Sequence, residues 1–365
     1  MIDVRKTLLL IGGGHTHLHI LKKLQSENIL NVKVILVSPS FFQYYSGMVS
    51  GYAEGLYALD EIRVDLQRLS QLGRVEFIED RAVFLDPLNQ IVHTQQGLAL
   101  KYDVVSFDIG SRTAHPTIPG IAENEIMVKP MDQFVKAVQT FDRAQHIAVV
   151  GGGASGIEVS LAIQARRRKL GMLTPVSLVS AGLLMEKSGH YVSRKITEIV
   201  QQKGIRLYQN DGVVQASSNR MYLQSGNHVT SDQLLWLTGP QAPSLFSKSG
   251  MKVDEHGYLA VYSTLQSVEY PNIFGAGDCI SFAEYPNLAK AGVYAVREAP
   301  ILWRNLKRYF SGNQMIQYHP QNKYLSILSA GNREAFLLYG SIALHGTWCW
   351  KLKRKIDKAF MNKYK

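Results

Sequence analysis

His146-Ile147-Ala148-Val149-Val150-Gly151-Gly152-Gly153-Ala154-Ser155-Gly156 is an apolar run that stops abruptly in glycine. Its first half reads as a buried strand, and Gly151, Gly153 and Gly156 fit G-x-G-x-x-G. In that pattern the glycines let a pyrophosphate approach the backbone, and its charge rests on the positive end of the helix that follows. The same construction opens the chain as Leu8-Leu9-Leu10-Ile11-Gly12-Gly13-Gly14, roughly 140 residues earlier. A single such turn also occurs in nucleotide-free folds. Two at this separation suggest two dinucleotides meeting in one protein, and therefore electron transfer between them.

Around each turn the pattern predicts a βαβ unit. The first is strand Thr7–Ile11, a helix from about His15 to Gln25, and strand Val32–Val37. The second runs from His146 through a helix Gly156–Arg168 to strand Val176–Val179. Leu-Val-Ser ends both second strands, at Leu36–Ser38 and Leu178–Ser180. Between the units lie strands near Val75–Phe77, Ala82–Leu85, Ile91–His93 and Val104–Phe107, then Pro116, Pro119 and Pro130. A strand Leu234–Leu237 turns at Thr238-Gly239-Pro240, and Asn272-Ile273-Phe274 enters Gly275-Ala276-Gly277-Asp278 before a helix from about Ala291 to Phe310. The uncharged stretch Ala335–Trp350 reads as a hairpin, Ala335–Tyr339 and Ile342–His345 turning at Gly340-Ser341. The fold expected is α/β, with two Rossmann-like dinucleotide-binding domains and a C-terminal α+β segment.

At 365 residues the chain can hold two or three modules with real cores. The net charge of +11 favours an anionic partner: a membrane surface, nucleic acid or phosphorylated cofactors. No nucleic-acid motif is present, so that partner is not expected. Cys279 and Cys349 form no C-x-x-C pair, which argues against disulfide-reductase and metal-finger chemistry and fits a reducing, cytoplasmic setting. No signal peptide is read before the first strand, and no apolar run reaches the ~18 residues of a membrane span.

Individual residues sharpen the expectation. His17 stands at the third glycine position of the first turn and implies a more open helix–strand junction. Ser38 and Ser180 end the second strands where Asp or Glu usually meets a ribose, so neither NADH nor NADPH is favoured by a carboxylate. The basic run Arg166–Lys169 reads as a solvated helix face, with a 2′-phosphate site as the alternative. Asp278 suits flavin ribityl hydroxyls, or else caps a helix. Glu158, in the first turn of the second helix, either answers the helix dipole or faces the gap between flavin and nicotinamide. His15 and His19 share a helix face, but His17 points elsewhere and no second ligand cluster accompanies them, so no metal site is expected and one of these rings is expected near the pyrophosphate. The tail Trp348–Lys365 has seven Lys or Arg against Asp357, with Leu352, Ile356, Ala359 and Phe360 on one stripe. It suits an interfacial helix on anionic lipid, or a helix docked on its own domain.

In this order, Gly12–Gly14, Asp108-Ile109-Gly110-Ser111, Gly151 to Glu158, Thr238-Gly239 and Gly275–Asp278 resemble the FAD-dependent pyridine nucleotide-disulfide oxidoreductase superfamily. The chain is most similar to the type II NADH dehydrogenase branch, and within it to NADH-dehydrogenase-like proteins sometimes fused to selenide, water dikinase. Tyr45-Ser46-Gly47-Met48, Asp60–Leu66, Lys290–Arg297 and Ile356–Met361 carry that subgroup's character. The resemblance implies an FAD domain in two pieces, 1–115 and 245–315, around an NAD(P)H domain, 116–244, with a hairpin and basic helix at 316–365. It places Gly12, Gly13, Gly14, His15, Ser38, Val83, Gly110 and Asp278 at FAD, with Tyr45 and Ser46 near the flavin. Gly151, Gly153, Gly156, Ser180 and Gly239 fall at the nicotinamide cofactor, with Glu158 beside the reactive ring. Val293 and Arg297 stand where that branch carries quinone-binding glutamines, leaving Lys290 and Arg297 to polarise a carbonyl oxygen. The activity implied is hydride transfer from NADH or NADPH to FAD, then electron transfer to a quinone or similar acceptor. The alternative is a soluble flavoprotein reductase acting on a protein, sulfur or selenium acceptor. A peripheral place on the inner membrane face goes with the quinone reading, the reductase being soluble, and a homodimer is compatible with either.

Overall fold

The computed structural model describes residues 5–114, 118–120, 125–127, 131–217 and 219–365. Pro116, Pro130 and the expected boundary at residues 115 and 116 lie outside the described residues. Strand β1 (Lys6–Ile11) leads through the first glycine turn into helix α1 (His15–Leu24) and strand β2 (Val32–Ser38). Helix α2 (Ser46–Glu54) follows, then β3 (Glu76–Glu79) and β4 (Val104–Phe107). These strands lie parallel in the order β4-β1-β2-β3, with an antiparallel three-stranded meander, Ala82–Lys101, between β3 and β4. Leu8, Leu9 and Leu10 are wholly buried, as a strand covered on both faces requires.

The second sheet repeats the plan. Strands β5 (Glu125–Met127), β6 (Ile147–Val150), β7 (Ser177–Ser180), β8 (Arg206–Gln209) and β9 (Gln233–Trp236) are parallel in the order β5-β9-β6-β7-β8. Helix α3 (Ala154–Lys169) follows the glycine turn after β6. The repetition reaches single hydrogen bonds: Gly12 N–H donates to Val37 O at 2.8 Å, and Gly151 N–H donates to Val179 O at 2.8 Å. The chain then returns to the first sheet, where β10 (Ile273–Gly275) pairs with the outer edge of β4. Helix α4 (Gly292–Phe310) packs on α1.

The predicted hairpin is present as β12 (Ala335–Tyr339) and β13 (Ile342–Gly346), extended by β11 (Ser326–Ser329). Helix α5 (Thr347–Asn362) closes the chain, and its buried face corrects the expected stripe. Cys349, Lys353, Asp357, Phe360 and Met361 point inward, whereas Ile356 is 45% exposed and Trp348 51%. The helix is rotated because Phe360, Met361 and Tyr364 belong to the core of the first module. That rotation carries Lys353 and Asp357 inside as a pair.

Candidate functional site

Gly12 sits at φ +89°, and a Cβ there would overlap the carbonyl oxygen of Asp108. Gly151 sits at φ +136°, and a Cβ there would overlap the carbonyl of Leu237. Both turns therefore need glycine for the same two reasons, a left-handed backbone and a neighbouring strand in contact. They differ at the third glycine position. A Cβ on Gly156 would strike Gly151 O, so the second turn is closed tightly on its helix. In the first, the wholly buried His17 fills that junction, its Nδ1 bonded to Gly12 O at 2.7 Å and Nε2 to Ser106 Oγ at 2.9 Å. Burial lowers its pKa to about 4, so the ring is a neutral brace.

A cavity of about 560 Å³ opens in front of the first turn, within the ~300–1,000 Å³ range of small-molecule sites. Gly12, Gly13, Gly14, His15 and Ser38 line one side, and Ser46, Gly110 and Asp278 another. A Cβ at Gly110 (φ +65°) would meet nothing within 4 Å, which leaves that wall open to a ligand. An extended dinucleotide with its phosphates at the turn fits this cradle. Val83 follows the wall residue Ala82, and its own side chain is 41% exposed. Tyr45 stacks on Phe360 at 4.4 Å between ring centres, while His15 lies 5.4 Å from Phe360 and 5.6 Å from Tyr45. Phe360 belongs both to the tail's stripe and to the Ile356–Met361 segment, and its place against Tyr45 and His15 depends on the fold.

The second turn presents a bare helix end. Gly153 caps α3 without a side-chain hydrogen bond, and a Cβ there would meet nothing within 4 Å. Ser180 Oγ donates to Gly182 O at 2.8 Å, just as Ser38 Oγ donates to Ser40 O at 3.1 Å. Gly239 (φ +132°) carries the chain into Pro240–Gln241, which pairs with Arg112–Thr113 and joins the two modules beside Gly110. The basic run Arg166–Lys169 is a solvated face only in part: Arg168 and Lys169 are exposed, Arg166 is half-buried and Arg167 is buried. Arg166 pairs with Asp142 at 2.6 Å, Lys169 with Glu54 at 3.0 Å, and buried Arg167 donates to the carbonyls of Phe141, Ala144 and Gln145. It ends α3, ~24 Å from the glycine turn at 1.5 Å per residue, and so lies far from the expected 2′-phosphate.

Glu158 and Lys290, both expected at the reaction centre, occupy separate surroundings. Glu158 accepts from Ser329 N–H at 2.6 Å and from Ser50 Oγ at 3.4 Å, where α2, α3 and β11 meet. Burial raises its pKa, with Lys353 and the Ser329 amide opposing and Asp357 adding to the rise. Lys290 donates to Ile280 O and covers the Tyr258 ring at 4.1 Å. It borders a cleft of about 10 Å³ with Gly277 and Glu298, room for one water, rather than the large cavity. Arg297 is exposed on α4. A buried group to which motif reading gave no role is Asp108, whose Oδ2 accepts the amides of Thr16 at 2.8 Å and His17 at 3.0 Å.

Known proteins share this fold. A probable NADH dehydrogenase of Dictyostelium discoideum is 23% identical over 331 residues, 80% of this chain and 72% of its own length. The structure of NDH2 from Plasmodium falciparum in complex with NADH superposes with TM-score 0.82 at 14% identity, covering 99% of both chains. That of the sulfide:quinone oxidoreductase from Aquifex aeolicus gives 0.80 at 20%, covering 98% of this chain and 92% of that one. The model of the pyridine nucleotide-disulphide oxidoreductase family matches residues 6–299, from β1 into the first half of α4, and the chain belongs to that family.

Proposed function

We propose that the chain is an FAD-dependent dehydrogenase that passes hydride from NADH or NADPH to flavin and electrons onward to a quinone or similar small acceptor. The observation that carries this is the pair of matching glycine turns, one facing a dinucleotide-sized cavity and the other a bare helix end. The first piece (1–115 with 245–315) holds FAD at Gly12–Gly14, Ser38, Gly110 and Asp278, and the 116–244 module holds the nicotinamide at Gly151, Gly153 and Gly156. When bound, the flavin supplies the two-electron chemistry. Glu158 sets the charge beside the junction of the modules, and Lys290 braces the turn that carries Asp278. The commitment of Arg166, Arg167 and Lys169 to structural partners weakens the sequence argument for NADPH drawn from that run.

Anaerobic mixing of the purified yellow protein with each nicotinamide tests the donor, and reoxidation by a quinone panel tests the acceptor. Gly156→Ala should keep the flavin yet slow its reduction at least ~100-fold, since the new Cβ overlaps Gly151 O. Undiminished reduction in that variant would move hydride donation away from the second turn. Reoxidation by sulfur or selenium species alone, with quinones inert, would favour the reductase alternative.

Among the described residues no helix is long and apolar enough to cross a membrane. Membrane contact would instead use the face that α5 leaves outside. Trp348 and Ile356 stand exposed there, joined through Gly346 to the exposed Leu344 and Ile342 of β13, with Lys351, Arg354 and Lys355 around them. Apolar anchors ringed by cations suit a peripheral seat on anionic lipid. Deleting the tail would expose the first module's core, so point changes are the cleaner test. The protein should sediment with anionic but not neutral vesicles. At ~1 kcal/mol per surface lysine, Lys351→Glu with Lys355→Glu should weaken that at least ~10-fold. Equal partition to both vesicle types would remove the membrane from the proposal.

A further inference from the structure

Beyond the third glycine position, the two modules differ at a second buried residue. Leu237 N–H donates to Val150 O at 2.7 Å and Asp108 N–H donates to Ile11 O at 2.9 Å, so these residues are counterparts beside their turns. The second module has an apolar side chain there. The first has a carboxyl only 4% exposed, bordering the 560 Å³ cavity. Its Oδ2 takes the amides of Thr16 and His17 at the start of α1, and its Oδ1 lies against Gly14 and Gly277. The chain thus sets an acid of its own on the helix end that a diphosphate would use.

We propose that Asp108 holds the FAD seat as a neutral acid, so that uptake of the dinucleotide takes up one proton from solvent and release returns it. This rests on the FAD reading above. An ionised Asp108 would leave like charges buried side by side, which a low-dielectric site does not tolerate. Acids predominate among the groups acting on it. From α1 come His15 and the neutral His17, from the turn after β10 come Asp278 and Cys279, and from α4 comes Glu298. Burial raises the Asp108 carboxyl to about 7, opposed by the His17 and Thr16 amides and helped by Asp278. Glu298 is raised by burial to about 8, but it accepts from Gly277 N–H at 2.6 Å and borders the small cleft instead.

Titrating the flavin-stripped full chain with FAD between about pH 6 and 9, followed by flavin fluorescence, tests the coupling. The Kd should stay level to about pH 7 and then weaken about tenfold per pH unit, as one-proton linkage requires. Asp108→Asn should bind with a level Kd throughout and more tightly than the parent at pH 9, whereas Glu298→Gln should keep the slope. Calorimetry at pH 8 in two buffers of unlike ionisation heat counts the proton in the unmodified chain, whatever the variants do. An uptake of zero overturns the proposal, as does a slope that survives in Asp108→Asn or vanishes in Glu298→Gln. FAD binding that ignores pH overturns Asp108's role alone. No FAD binding at any pH overturns the FAD reading with it.

Discussion

Gly12→Ala should emerge from purification colourless. The residue sits at φ +89°, where an L side chain costs ~1–2 kcal/mol, and its Cβ would overlap the carbonyl of Asp108 on the adjacent strand. Relieving that overlap means parting β1 from β4 at the point where both feed the cavity, at a further ~1–3 kcal/mol. Stability should therefore fall by about 2–5 kcal/mol, and FAD affinity by at least ~100-fold, because the displaced atoms are the wall of the seat. Gly97 supplies the control. It also has φ +89°, lies in the meander's turn, and would place a Cβ in open space. Gly97→Ala should show the backbone cost alone and stay yellow. Thermal melts with flavin-to-protein ratios for both variants check this, and a Gly12→Ala protein with a full complement of flavin would refute it.

How far the sequence speaks follows from which contacts are local. Both glycine turns, their flanking strands and helices, and the hairpin at Gly340-Ser341 were readable, since each is set by residues within one turn or one strand of each other. Asp108 was not. It stands in a recognisable motif, but its meaning comes from the amides of Thr16 and His17, which are 92 and 91 residues away. Pattern reading also missed buried charges in two basic runs for a shared reason. A hydrophobic stripe counts Lys and Arg as solvent-facing, yet Arg167 satisfies three backbone carbonyls inside the second module, and Lys353 and Asp357 neutralise each other inside the tail. Long cationic side chains carry apolar stems and can be buried once their tips are paired. Where a partner comes from another element, no spacing rule announces it.

That buried pair makes the second large effect. Lys353 Nζ lies 3.1 Å from Asp357 Oδ2 and donates to Gly47 O at 2.6 Å, while Asp357 Oδ1 accepts from Tyr45 OH at 3.1 Å. The two side chains are 10% and 5% exposed. Together they fasten α5 to the start of α2, next to Ser46 in the cavity wall. Lys353→Met would keep the stem and remove the charge, leaving Asp357 buried beside a single hydroxyl. Removing one partner of such a pair costs ~3–5 kcal/mol, whereas replacing both by apolar residues is often close to neutral. Lys353→Met should therefore lower stability by about that amount, and Lys353→Met with Asp357→Leu should recover most of it. Acid provides an independent check of the sign. Burial already raises the Asp357 carboxyl in the native chain, with Lys353 holding it back, so losing Lys353 raises it further. A carboxyl whose folded pKa lies above its unfolded value of ~3.9 favours the folded state when protonated. The deficit of Lys353→Met should thus be full above the raised folded pKa and shrink as pH falls toward the unfolded value. Denaturant unfolding of the parent, single and double variants across that window measures it. A deficit unchanged by acid, or a double variant no better than the single, would mean that α5 is held by its aromatic contacts with Tyr45 and His15 and not by the ion pair.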